Sequence, residues 1–266
     1  MIELRNLTKF YPVKDAFRYV LRDVSLTIPS RTNVAVLGPN GAGKSTFLRL
    51  IGGAEAANSG TIISDCDISW PLGLSSGFQG SLTGRQNVLF VCRINGLSRE
   101  QQEQVIHHVM DFAEIGEYFD MPVNTYSSGM RGRLTFGLSM AFRFDVYLID
   151  ELTSVGDAGF RAKAKAAFDD IRDRASLIFV SHNLATLKQS CQAALFIRDG
   201  LANFYPDIAE GLEAYEEYLR MRKQPGLSKK NEEKQKRIQE KRAARRAARL
   251  QARDEQPPPN ETFTDR

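Results

Sequence analysis

Nine consecutive residues, Gly38-Pro39-Asn40-Gly41-Ala42-Gly43-Lys44-Ser45-Thr46, have the types and spacing needed to hold a polyphosphate. Glycines let backbone N–H groups turn toward anionic oxygens where a side chain would intrude. Lys44 then reaches the β- and γ-phosphates, and Ser45 offers its hydroxyl to Mg²⁺. The competing interpretation is a glycine-rich turn with an incidental lysine. The flanks argue against it. Val34-Ala35-Val36-Leu37 precedes the loop and Phe47-Leu48-Arg49-Leu50-Ile51 follows, giving the strand, loop and helix that a nucleoside triphosphate site requires.

A second centre is Asp150-Glu151, directly after Val146-Tyr147-Leu148-Ile149. In a P-loop enzyme, an aspartate at such a strand end helps hold Mg²⁺, and an adjacent glutamate can polarise water for in-line attack on the γ-phosphate. An acidic pair alone would equally cap the next element; behind a P-loop it is read as catalytic. Ser181-His182-Asn183 follows a similar run, Leu177-Ile178-Phe179-Val180. His107 and His108 lie in a polar helical stretch and are expected at the surface.

These residues need a scaffold that brings strand ends together. Alternation in Ile2-Glu3-Leu4, in 20–28 and in Thr61-Ile62-Ile63 predicts short half-buried strands, with a turn at Asn58-Ser59-Gly60 before the last. Residues from about 84 to 143 have helical patterning, with Val105, Val109, Phe112 and Ala113 near a 3.6 period. The runs ending at Ile149 and Val180 fit buried parallel strands whose carboxyl ends line a site, separated by a charged amphipathic helix over 160–174. The expected fold class is α/β: a P-loop core with a parallel sheet.

The chain has 266 residues with 42% apolar content, enough for a substantial core. Its net charge of +4 hides an asymmetry. Residues 1–220 carry 22 Lys/Arg against 25 Asp/Glu, whereas 221–266 carry 14 against 7. A near-neutral body is therefore expected to bear a basic tail. The tail is rich in Lys, Arg, Glu, Gln and Ala over 229–255, a composition that favours a solvated helix, before Pro257-Pro258-Pro259. No apolar stretch approaches the ~20 residues that span a bilayer, and the opening Met1-Ile2-Glu3-Leu4-Arg5 does not read as a secretory signal. Cys66, Cys92 and Cys191 lack C-x-x-C spacing and are expected as reduced, mostly buried thiols.

Further motifs make the combination specific. Tyr126-Ser127-Ser128-Gly129-Met130-Arg131-Gly132-Arg133 resembles the LSGGQ signature of ATP-binding-cassette (ABC) proteins, retaining Ser127 and Gly129 but with Tyr126, Ser128 and Met130 departing from the usual Leu, Gly and Gln. Residues 151–157 resemble the D-loop region, with Leu152 where proline is frequent. His182 resembles the switch histidine and Gln79 the Q-loop glutamine. The resemblance implies catalytic roles for Glu151, His182 and Gln79, and Mg²⁺ contacts for Ser45, Gln79 and Asp150. It implies ATP contacts for Gly38 through Thr46, for Ser127 and Gly129 of an opposing cassette, and for an aromatic that stacks on adenine. Tyr11 is the leading candidate for that aromatic; Phe10, Phe17 and Tyr19 compete. The implied fold is an ABC nucleotide-binding domain over 1–220: a RecA-like core, an antiparallel β-subdomain and a helical subdomain at about 84–143; the basic tail at 221–266 is not part of that pattern.

Local wording narrows the likeness. Ser69-Trp70-Pro71-Leu72-Gly73-Leu74, Gly77-Phe78-Gln79-Gly80-Ser81-Leu82-Thr83-Gly84-Arg85-Gln86-Asn87-Val88 and Val91-Cys92-Arg93-Ile94-Asn95-Gly96 resemble the ATPase subunits of capsular polysaccharide exporters, whose relatives export O-antigen and teichoic acid. That likeness implies an ATPase homodimer bound to two copies of a polytopic membrane permease, peripheral on the cytoplasmic face of the inner membrane. It also implies periplasmic and outer-membrane export proteins as partners and a lipid-linked polysaccharide as cargo. Trp70 reads either as part of the groove receiving the permease or as a core aromatic beneath the β-subdomain. For the tail, a solvated segment, attraction to anionic lipid and nucleic-acid binding all stay open, with nucleic acid the least favoured. The alternative within transport is the ATPase subunit of an O-antigen or teichoic acid exporter; from another functional class it is a non-transport ABC ATPase acting on nucleic acid, and such proteins typically carry two cassettes or a long coiled-coil insertion.

Overall fold

The computed structural model describes residues 1–14, 16–72, 78–150 and 157–223. The chain divides into two units, Met1–Tyr215 and Glu216–Arg266, and the functional residues described lie in the first. The helix expected over 229–255 lies outside the described residues, as does Glu151.

Strand β1 (Ile2–Val13) pairs on one side with β2 (Ala16–Ile28) and on the other with β4 (Ser59–Ser64), all antiparallel. Ile2 and Leu4 point into the core, then the register shifts before Leu7, with Asn6 at φ 50°. Leu7, Lys9 and Tyr11 follow at alternate positions. Opposite that shift, Gly60 adopts φ 85°. The turn expected at Asn58-Ser59-Gly60 is therefore partly strand, because Ser59 already pairs with Thr8 and a bulge absorbs the glycine.

The second sheet runs β5-β6-β3-β7-β8. Strands β3 (Val34–Leu37), β5 (Val146–Asp150), β6 (Ser176–Val180) and β7 (Ala193–Arg198) are parallel; β8 (Leu201–Tyr205) returns antiparallel. Every residue of β3 is buried, as expected for a central parallel strand covered on both faces. Asp199 and Gly200, both at positive φ, form the two-residue turn between β7 and β8. Gly200 O accepts from Arg22 N at 2.7 Å and ties that hairpin to β2. Residues Ile68 and Leu72 bridge in parallel to β5, so the segment entering the Q-loop runs alongside it.

One hydrophobic cluster joins the two sheets: Ile2, Leu4, Leu7 and Leu21 pack with Val34, Val36 and Leu148, and with Phe47 and Leu48 of helix α1 (Lys44–Ile51). A separate cluster is built by α2 (Gly84–Ile94), α3 (Arg99–Ala113) and α4 (Ser128–Ala141), with Val88, Val109, Leu134 and Leu138 at its centre. The predicted stripe Val105, Val109, Phe112 and Ala113 is the buried face of α3. Capping boxes start both α2, through Thr83 and Gln86, and α3, through Ser98 and Gln101. Helix α5 (Ala158–Arg174) crosses from β5 to β6, and α6 (Leu184–Ser190) links β6 to β7. The α/β expectation is met by the parallel sheet, accompanied by an antiparallel sheet and a helical portion. Cys92 and Cys191 are buried, which pushes their thiols up, to about 12 for Cys191; Cys66 is half-buried.

Candidate nucleotide site

Helix α1 starts without a capping side chain and without an acidic residue in its first turn. Its first N–H groups therefore face the loop as an uncompensated positive end, which favours an anion. Gly43 takes φ 103°, and a Cβ there would lie 2.0 Å from Val20 Cγ1, so both backbone and space demand glycine. Lys44 Nζ donates to Gly38 O at 2.8 Å and Pro39 O at 3.3 Å, which arches its ammonium across the loop mouth. Ala42 N donates to Pro39 O at 3.0 Å, closing the turn that contains Asn40 and Gly41.

Parallel pairing brings the other predicted residues to the same sheet edge. Asp150 ends β5 directly opposite Val180, the last residue of β6. His182 lies two residues further on and is exposed. Asn183 fixes that corner, since its side chain accepts from Ala185 N and Thr186 N at the start of α6 and its own N–H donates to Ser181 Oγ. Strand β3 is the other neighbour of β6, so the P-loop, Asp150 and His182 all follow carboxyl ends of adjacent strands, the usual place for ligands in such sheets. Glu151, the candidate base, lies outside the described residues.

Tyr11 and its competitors separate by face. Tyr11 pairs directly with Arg18, and paired residues of an antiparallel ladder share a face. Arg18 donates to Gly41 O at 2.8 Å, so that face meets the P-loop. Phe10 packs with Phe17 and Tyr19 as a separate aromatic group at 4.7 and 5.4 Å. Tyr11 alone of the four has a pairing partner bonded to the P-loop.

Gln79 is held by a residue whose role the sequence did not disclose. Asn87 is fully buried; its Oδ1 accepts from Gln79 N at 2.8 Å, and its Nδ2 reaches Gln79 O, Leu82 O and Thr83 O. One side chain thus shapes the loop and ties it to α2. Its only advance sign was an asparagine one turn after a Thr83 cap.

Ser127 and Gly129 stand at the start of α4, where Ser127 Oγ accepts from Met130 N at 3.2 Å. This helix too lacks an acidic first turn. Tyr126, unusual for the signature, is buried and donates to Tyr118 O at 2.6 Å. It is accommodated by glycine across the way, because a Cβ at Gly84 would lie 2.5 Å from its hydroxyl. Signature and P-loop lead into different hydrophobic clusters. Asp157, in the D-loop region, caps α5 through Phe160 N and pairs with Arg133 of α4 at 2.6 Å, which together hold its carboxyl below the usual range. Trp70 donates to Ser139 Oγ at 2.8 Å and stacks edge-on with Phe142 and Phe144, so it packs with the end of α4 rather than beneath the antiparallel sheet. His107 and His108 are exposed on α3.

A family model described as ABC transporter matches residues 21–154. The chain is 49% identical over 220 residues to the polysialic acid transport ATP-binding protein KpsT of Escherichia coli, covering 82% of this chain and 100% of that protein. It is 40% identical over 215 residues to the capsule polysaccharide export ATP-binding protein CtrD of Neisseria meningitidis serogroup B, covering 81% of this chain and 98% of that one. A solved dimer of the ATP-binding cassette MJ0796, in a post-hydrolysis state with ADP and Pi, has a similar fold: TM-score 0.64 at 22% identity, covering 78% of this chain and 99% of that one.

Proposed function

This chain belongs to the ABC transporter family, and from that premise we propose that it works as a pair of cassettes driving a membrane permease. It is an ATPase that powers export of a capsular polysaccharide. The observation that carries this reading is a likeness spanning the full length of a polysialic acid transport ATP-binding protein. Among the described residues no helix is long and apolar enough to cross a membrane, so the permease is a separate chain in this reading. The pair then docks on it at the cytoplasmic face of the inner membrane and acts on a lipid-linked polysaccharide.

ATP lies between the P-loop of one copy and the Ser127–Gly129 end of α4 of the other. Both surfaces are helix N-termini without acidic first turns, so each favours the polyphosphate. Lys44 neutralises the β- and γ-phosphates, and Tyr11 stacks on the base. Glu151 accepts a proton from the attacking water, Gln79 orients that water, and His182 contacts the γ-phosphate. Loss of the γ-phosphate removes the ligand that joins the two copies, so hydrolysis opens the pair.

Mg²⁺ fits the donors present. No cluster of three or more His, Cys, Asp or Glu forms a metal cage among the described residues. The hydroxyl of Ser45, the carboxylate of Asp150 and the amide of Gln79 are hard oxygen donors of the kind Mg²⁺ combines with substrate phosphates. When bound, it supplies positive charge to the β- and γ-phosphate oxygens.

The test is affinity purification of Glu151→Gln with ATP from solubilised host membranes. The variant keeps the side-chain shape without the base, so it should trap the ATP-bound pair and recover a small polytopic membrane protein. Recovery of ribosomes or DNA-associated proteins without a membrane subunit would overturn the export reading.

A further inference from the structure

The region between Tyr11 and the P-loop helix contains a cluster of charged side chains that the reaction itself does not use. Lys9 is 9% exposed although it stands at a position where strand alternation calls for an apolar residue. Its Nζ pairs with Glu55 Oε1 at 2.8 Å and donates to Ala56 O at 2.7 Å. The same carboxylate oxygen accepts the hydroxyl of Tyr11. The other oxygen accepts Arg49 Nε at 3.0 Å, and Arg49 NH2 donates to Thr46 Oγ1 at 3.0 Å. Glu55 is also anchored through its backbone, whose N–H donates to Arg49 O.

A continuous chain of hydrogen bonds therefore runs from Tyr11 through Glu55 and Arg49 to Thr46. It joins the end of an antiparallel strand to the P-loop helix on the other sheet. We propose that Glu55 is a positioning residue for the nucleotide base: it fixes the Tyr11 ring relative to the phosphate cradle, so that base and polyphosphate are recognised at one set spacing. The inference rests on the reading of Tyr11 as the base-stacking aromatic.

A carboxylate suits this task because it is acceptor-only and can receive all three donors at once. Burial alone would push the Glu55 carboxyl up, but hydrogen bonds from Lys9, Tyr11 and Arg49 outweigh it and bring it down to about 2. Glu55 is thus ionised at any physiological pH. A glutamine has the same shape but offers one acceptor oxygen and turns an N–H₂ group toward the remaining donors.

The experiment compares ATP with inorganic tripolyphosphate, which has phosphates but no base. Binding is measured by titration calorimetry on the full chain and four variants. Glu55→Gln should weaken ATP about fivefold, the loss of one good hydrogen bond, and leave tripolyphosphate unchanged. Tyr11→Phe, which removes only the hydroxyl, should reproduce this loss, and the double variant should be no weaker than either single one. In steady-state turnover the effect should fall on KM for ATP rather than on kcat. Equal weakening of ATP and tripolyphosphate, or no change in ATP affinity, would overturn the positioning role. Tyr11→Ala separates the two levels. If it leaves ATP affinity intact, the base-stacking reading itself fails; if it weakens ATP while Glu55→Gln and Tyr11→Phe do not, only the role of Glu55 fails.

Discussion

The P-loop edge of the parallel sheet and the Q-loop face of the helical cluster both prepare residues for one nucleotide, by different physical means. At the P-loop edge the work is done by backbone: glycine conformations, an uncapped helix start and the carboxyl ends of adjacent parallel strands. At the Q-loop and signature it is done by buried side chains. Asn87 shapes the loop carrying Gln79, and the Tyr126 hydroxyl occupies the space left by Gly84. A backbone-built site tolerates little change in residue size. A side-chain-clamped site is sensitive in addition to the loss of a single buried donor or acceptor.

Gly43→Ala should give the largest effect, because it sets a Cβ 2.0 Å from Val20 Cγ1 at a left-handed backbone position. Strain of about 1–2 kcal/mol and overpacking of about 1–3 kcal/mol together predict a loss of nucleotide affinity of roughly a hundredfold. Fluorescent-nucleotide binding measures it, and near-normal affinity would mean that the loop is not set by backbone. Asn87→Leu comes next. It keeps the branching at Cγ but strands several buried backbone groups, for a stability loss of about 2–3 kcal/mol in urea unfolding. An unchanged midpoint would remove the distinction between the two regions.

Gly84→Ala should be milder, about 1–2 kcal/mol, since a helical alanine partly offsets the clash. Tyr126→Phe in the same chain should recover part of the loss by removing the hydroxyl it meets. Strict additivity of the two substitutions would show that they do not press on each other.

The smallest expected effect is one of pH. Against burial, hydrogen bonds from Lys9, Tyr11 and Arg49 hold the folded-state carboxyl of Glu55 down at about 2, below the ordinary glutamate range. Its contribution to stability is therefore fully present above the unfolded value and disappears as pH falls through the folded one. The difference in thermal midpoint between the parent and Glu55→Gln should be constant at neutral pH and shrink from about pH 4.5 downward. A gap that instead widens on acidification would contradict a depressed carboxyl.

By itself, the amino-acid sequence determined the phosphate loop, the strand-end residues Asp150 and His182 and the α/β class. Each is written locally, in glycine spacing or in apolar runs ending in polar residues. Alternation also placed β1 and β2, but not the shift at Asn6 and Gly60, because a bulge depends on the partner strand. Only tertiary structure set Tyr11 apart from Phe10, Phe17 and Tyr19, since strand pairing decides which face meets the P-loop. Only it placed Trp70 beside Ser139 and revealed Asn87 and Glu55 as holders of other residues. Those roles depend on groups distant in the chain meeting inside a buried site, where an unmatched donor or acceptor is costly, and local spacing carries no record of such a meeting.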